Sequence, residues 1–198
     1  MKRRTAAATL CGAILATAAT AGEWREFRGP DGRGAAADAT IRTRWSESEG
    51  IAWKADLPGR GASSPIVVGD LVVVTAASGA KQDRLHVLAF DAASGRQRWQ
   101  RTLWATGRTF CHPTSSVAAG TPASDGRRIV ALFSSCDLFC LDLEGRLVWQ
   151  RNLAVEHPRS GNDVGMGASP RIVAGTVVVQ IDCQAVSYTH LRAHETLR

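Results

Sequence analysis

The chain has 198 residues, 44% hydrophobic and 21% charged, with a formal net charge of +6. That length suits one ordinary domain or a piece of a larger one, and its apolar content supports a core, which excludes a disordered charged tail. No apolar run reaches the roughly 18 residues of a membrane-spanning helix, so no integral span is expected; no heptad or Gly-x-y period occurs either, and the Gly-rich, Val-rich profile favours β structure.

In chain order, Lys2, Arg3 and Arg4 form a basic start to the apolar, small-residue stretch Thr5 to Thr20. Ala19-Thr20-Ala21 suits cleavage, so residues 1–21 read as a secretory signal cut before Gly22, and the expected location is periplasmic or secreted. Residues 22–50 form a lead-in, and Ile51-Ala52-Trp53 reads as the last strand of a preceding, incomplete unit.

The middle of the chain repeats. Ser63 to Ala77, Gly120 to Ser134 and Ala168 to Asp182 each open on Ser/Thr-Pro, at Pro65, Pro122 and Pro170. Each passes a turn glycine, Gly69, Gly126 or Gly175, and enters a β-branched run. Gly69-Asp70 and Asp125-Gly126 are two-residue hairpin signals, since both residue types tolerate positive φ. A second pattern follows. Strand His86 to Phe90 leads to Asp91, Gly95 and Trp99, and strand Leu138 to Leu141 leads to Asp142, Gly145 and Trp149. In each, an Asp caps a turn, a Gly takes the left-handed position and the returning strand ends on Trp. The spacing from Trp53 to Trp99 to Trp149 suits four short strands per unit, with repeats near 63–103, 120–153 and 168–184. The expectation is an all-β chain: a β-propeller of four-stranded antiparallel blades over 51–184, here an incomplete sector of two to three blades with Trp as the wedge between them.

AFDAASGRQRW (Ala89 to Trp99) resembles the pyrroloquinoline-quinone-type (PQQ-like) propeller repeat family. CLDLEGRLVW departs from the pattern by one deleted residue and a Cys at the Ala position, which implies a tighter turn. WREFRGPDGRG (Trp24 to Gly34) is similar to the opening of large secreted bacterial members. The resemblance covers residues 24 to 184 and implies a complete propeller of more blades than this chain holds.

Beyond Gln184 the pattern breaks, and residues 185–198 (AVSYTHLRAHETLR) resemble translated adapter sequence, an expected non-native tail. Setting aside Lys2, Arg3, Arg4, Arg192, Arg198 and Glu195 leaves 19 basic and 17 acidic residues, a net of +2. That balance gives no electrostatic footprint for nucleic acid.

Two links between units are long, Leu103 to Ala119 and Leu153 to Gly167, and in a propeller such links emerge on one face. They carry Arg108, Cys111, His112, Arg159, Asn162, Asp163 and Met166. His112, Asn162 and Asp163 are the candidate cofactor residues, each with an ordinary loop role as the alternative. No catalytic or metal-ligating residue stands out. Cys111, Cys136, Cys140 and Cys183 remain after signal removal, and export admits disulfides. An extended strand would hold Cys136 and Cys140 about 13 Å apart, beyond disulfide reach unless a turn intervenes.

The resemblance implies two functions. The favoured one is a non-catalytic binding or assembly platform in the cell envelope, with envelope proteins or a ligand as partners and no cofactor. The other is a quinone-dependent alcohol or sugar dehydrogenase using PQQ and calcium on the loop face, for which the adjacent cysteine pair of such enzymes is missing.

Overall fold

The computed structural model describes residues 22–36, 43–161, 164–182 and 195–196. The signal, Asn162, Asp163, Cys183 and residues 185–194 lie outside them. Two complete antiparallel sheets follow one another along the chain. The first blade takes Ile66–Val68 (β1), Leu71–Ser78 (β2), Arg84–Asp91 (β3) and Gln97–Trp104 (β4) in the order β1-β2-β3-β4. The second takes Ala123–Ser124 (β5), Arg128–Leu132 (β6), Asp137–Asp142 (β7) and Leu147–Asn152 (β8), again in chain order. After the single turn Leu153–Glu156 (α1), a third unit begins with Arg171–Val173 (β9) and Thr176–Val178 (β10), which also pairs with Glu195–Thr196 (β11). No helix among the described residues is long and apolar enough to cross a membrane.

Strand alternation explains how the sheets stack face to face. Leu71, Val73, Leu85, Val87 and Ala89 of the first blade meet Ile129, Ala131, Phe139 and Leu141 of the second in one buried cluster. The intervening residues Val130, Leu132, Leu138 and Cys140 face the other way, against Val177, Val179 and Ile181 of the third unit. Buried on both faces, the central strands β6 and β7 of the second blade read as continuous apolar runs rather than alternation. This is a β-propeller sector, with β1, β5 and β9 innermost and β4 and β8 outermost.

At the outer rim Trp99 and Trp53 each cover a turn glycine. Trp99 donates its indole N–H to the Leu143 carbonyl at 2.7 Å, and its ring covers Gly145 so closely that a Cβ there would lie 2.6 Å from it. Trp53 does the same to the first blade, donating to the Ala92 carbonyl at 2.9 Å over Gly95. Both glycines sit at positive φ, +69° and +77°, so backbone strain and lack of space each favour glycine. Both rings are partly rather than fully buried.

The local differences from expectation have simple causes. Ile51–Trp53 forms no strand among the described residues, because its segment has no ladder partner there. The turn after β5 holds three residues rather than two, as Asp125 Oδ1 caps both the Arg127 and Arg128 N–H groups. Register shifts between Ala89 and Phe90, and between Cys140 and Leu141, make Arg98 and Val148 the extra residues of matching β-bulges.

The inner edge is tied twice. Ser64 N–H donates to Thr121 Oγ1 at 3.0 Å, and Thr121 N–H donates to Ser169 Oγ at 3.0 Å. These are the residues before the three repeated prolines, so the Ser/Thr-Pro repeat is a hydroxyl relay from blade to blade. The lead-in crosses the same edge. Trp24 exchanges two backbone hydrogen bonds with Val67, Arg25 O accepts from Ser124 N–H, and Glu26 pairs with Arg171 at 2.9 Å. Three consecutive residues thereby touch three consecutive innermost strands.

Candidate functional site

The two long links meet on one face, as expected of propeller links. His112 N–H donates to the Val164 carbonyl at 2.9 Å, and Cys111 packs on Gly165, where a Cβ would lie 2.9 Å from its own. Met166 N–H donates to Ser134 Oγ at 2.9 Å and holds the second link against the turn between β6 and β7. From the first blade, Gln82 reaches under the first link; its Oε1 accepts from Ser116 Oγ and Val117 N–H. Gln82 has φ +53°, a conformation that directs its amide at the link.

Beneath this face lies a buried carboxylate that the sequence reading missed. Asp137 is 2% exposed and accepts from Thr106 N–H at 3.0 Å, from Thr106 Oγ1 and from Ser135 Oγ at 2.6 Å. Asn152 then joins the network through Thr106 Oγ1 and caps α1 by accepting from Ala154 and Val155 N–H. Asp137 thus fixes the start of the first link to the second blade while Asn152 starts the second. The available signal was Ser-Ser-Cys-Asp in the tight β6–β7 turn, where a polar run sits between two apolar strands.

A cleft of about 290 Å³ opens beside this network, between the two links. Arg108 and Phe110 line it from the first link, Ser134, Ser135 and Cys136 from the β6–β7 turn, and Arg159 and Ser160 from the segment after α1. The Arg108 guanidinium lies over the Phe110 ring, 4.9 Å from its centroid. Burial, with Asp137 adding to it, pushes the Cys136 thiol up to about 11, and Cys140 rises to about 11 chiefly by burial. Cys111, Cys136 and Cys140 are all free. Cys136 sits in a left-handed turn position, φ +66°, directly before β7, while Cys140 lies within β7.

Of the candidate cofactor residues, His112 is exposed, with Nδ1 2.8 Å from Thr114 Oγ1 and 3.3 Å from Thr114 N, the geometry of a loop-stabilising histidine. Asn162 and Asp163 are outside the described residues. The His112 carbonyl is taken by the Ser115 N–H at 2.8 Å. Among the described residues no group of three or more His, Cys, Asp or Glu comes together to hold a metal ion. His86 is a core residue. Its ring bridges Ser78 Oγ at 2.8 Å and Thr102 Oγ1 at 3.1 Å, and burial, aided by Arg84, lowers its pKa.

BamB from Moraxella catarrhalis superposes with a TM-score of 0.45 and 20% identity, over 66% of this chain and 35% of that one. Quinohemoprotein alcohol dehydrogenase from Comamonas testosteroni gives a TM-score of 0.48 and 20% identity over 63% of this chain and 18% of that one. Quinohemoprotein alcohol dehydrogenase ADHIIG from Pseudomonas putida HK5 gives 0.46 and 22% over 66% and 18%. The chain thus spans about a third or less of the length of these proteins. No curated protein matches its sequence. The profile of the family described as outer membrane protein assembly factor BamB matches residues 11–195. Its repeat turns, Trp wedges and this match over most of its length place the chain in that family of PQQ-like repeat propellers.

Proposed function

We propose that the protein is an exported, non-catalytic platform that holds protein partners in the cell envelope. The observation that carries this reading is membership, over residues 11–195, in a family described by an assembly role rather than by a reaction. The loop face supports it: Phe110, Val155 and Val164 are exposed there beside Arg108 and Arg159, an apolar and basic surface on a rigid scaffold. The basic and apolar start of the chain supports export.

Photo-crosslinking from positions 110 and 155 of the full-length protein, in its own cells, tests the reading. Adducts with outer-membrane assembly proteins, and reduced levels of folded outer-membrane proteins on gene deletion, are the expected results. Stoichiometric binding of added quinone and calcium, with dye reduction by an alcohol, would replace the platform with an oxidoreductase. A fusion of residues 1–22 to a reporter should reach the periplasm cleaved, and an uncleaved cytosolic product removes the export step.

A further inference from the structure

The lead-in meets the inner edge in a fixed order. Val67 and Ser124 each lie two residues after a repeated proline, so they hold the same place in the first and second innermost strands. Val67 N–H donates to the Trp24 carbonyl at 2.9 Å, and Ser124 N–H donates to the Arg25 carbonyl at 2.8 Å. Consecutive lead-in residues thus serve consecutive blades, whereas pairing along one strand edge would use alternate residues. The lead-in therefore runs across the innermost strands. Its side chains make the same crossing. Glu23 accepts from the Gly69 N–H of the first blade at 3.3 Å and pairs with Arg25 at 2.7 Å. Arg25 donates to the Asp125 carbonyl of the second blade at 3.2 Å and lies over Gly126, where a Cβ would be 2.8 Å from the guanidinium. Glu26 holds Arg171 of the third unit. Gly29 N–H then closes onto Glu26 O, and Gly29 lies under the Trp24 ring, so the end of the crossing folds back on its start.

We infer that residues 23–29 are a strap, one cooperative unit that holds the first two blades and the third unit at a set spacing and opens as a whole while the blades stay folded. Neither core cluster that joins the blades contains a residue of this segment, so the blades keep their stacked faces when it leaves. Segments held by exposed hydrogen bonds and few buried apolar contacts open locally, well below the free energy of global unfolding. The Glu23–Arg25 pair that joins the first two blades is partly exposed, as is Arg171 at the third unit. Closed, the strap covers the Val67 and Ser124 N–H groups; open, it bares both at once. The contact of Trp24 with Gly29 ties its two ends, which makes a change at one end felt at the other. The strap requires neither a protein partner nor a cofactor, so it is independent of the platform reading.

Amide hydrogen exchange of the full chain, read residue by residue by NMR, tests the strap. In the parent, the Val67 and Ser124 amides should be protected and exchange at one common rate, faster than Val73 in β2 and Leu88 in β3. Glu26→Gln, at the third unit, should speed exchange at Val67 and Ser124 by the same factor, several-fold, and leave Val73 and Leu88 unchanged. Glu23→Gln, from the other end, should give the same pattern. Acceleration confined to the blade nearest the altered residue would mean three separate contacts and overturns the strap. Unprotected Val67 and Ser124 amides in the parent, or no change at either in both variants, overturn it as well. A rise at Val73 and Leu88 equal to that at Val67 would make the lead-in part of the blades' own fold, and a strap that opens alone would be excluded.

Discussion

The outer rim and the inner edge of this sector join the same blades by different chemistry. At the rim, one large ring covers one glycine and donates one indole hydrogen bond beside it, and the tryptophans recur every 46 to 50 residues. At the inner edge, hydroxyls, backbone groups and one ion pair pass from blade to blade, supplied partly by the repeat and partly by a lead-in distant in sequence. A rim joint therefore depends on a single close fit, whereas the inner edge spreads its stability over many modest bonds. The two turns under the rim show how strict that fit is. In the first blade Gly95 N–H closes onto Asp91 O across four residues, and in the second Gly145 N–H closes onto Asp142 O across three. The turn lost a residue, yet glycine stayed under tryptophan.

The largest effects should lie at the rim. Trp99→Ala removes a partly buried indole and its hydrogen bond to Leu143, and should cost about 2–4 kcal/mol, at or below the fully buried range because the ring is partly exposed. Gly145→Ala should cost a comparable amount, because the new methyl meets the ring and the backbone must hold positive φ. Denaturant melts of both variants and their double mutant measure this. If the two losses add fully, ring and glycine do not form one joint.

At the inner edge, Thr121→Val keeps the shape of a residue 2% exposed but strands the Ser64 N–H. An orphaned buried donor should cost about 1–3 kcal/mol, and Thr121→Ser should recover most of it. A larger loss for Ser than for Val would mean that this position contributes through its methyl rather than its hydroxyl. The lead-in tie should be weaker still. Glu26→Gln breaks a pair whose arginine is half exposed, and the loss should be at most about 1 kcal/mol and shrink as salt is added. A salt-independent loss would point to packing of the lead-in instead of charge.

The rim was legible in the sequence and much of the inner edge was not. Asp91, Gly95 and Trp99 recur as Asp142, Gly145 and Trp149 because each performs a local steric task that few residue types can do. The prolines were equally visible, but nothing in one sequence says that the residue before each hands a hydroxyl to its neighbour, since that bond spans 48 to 57 positions. Trp24, Arg25 and Glu26 carry no period at all, and their contacts arise only once three blades stand side by side. The same holds for the cleft. Arg108 and Arg159 stood out as loop residues, but that the two line one cleft is a long-range contact with no period in the sequence.

The smallest effect sits beside the largest, at Arg98. As the extra residue of the bulge, it points its guanidinium along the surface to Asp91 at 3.2 Å and Asp70 at 3.3 Å, while Trp99 alone fills the joint. Exposed pairs of this kind contribute little, so Arg98→Ala should change stability by no more than about 0.5 kcal/mol. Nor should it free the Asp91 carboxylate. That group is held below the ordinary aspartate range first by the Ser94 hydroxyl and then by the Ser94 N–H, and Arg98 adds only a smaller Coulombic pull. Because the folded pKa is depressed, whatever stability Asp91 lends is present above the unfolded value of about 3.9 and disappears as pH falls through the folded one. A carbon-13 titration of the carboxylates should therefore show Asp91 still depressed in Arg98→Ala and raised toward its ordinary value in Ser94→Ala. The reverse order would make the bulge arginine, rather than the serine cap, the group that sets the turn beneath Trp53.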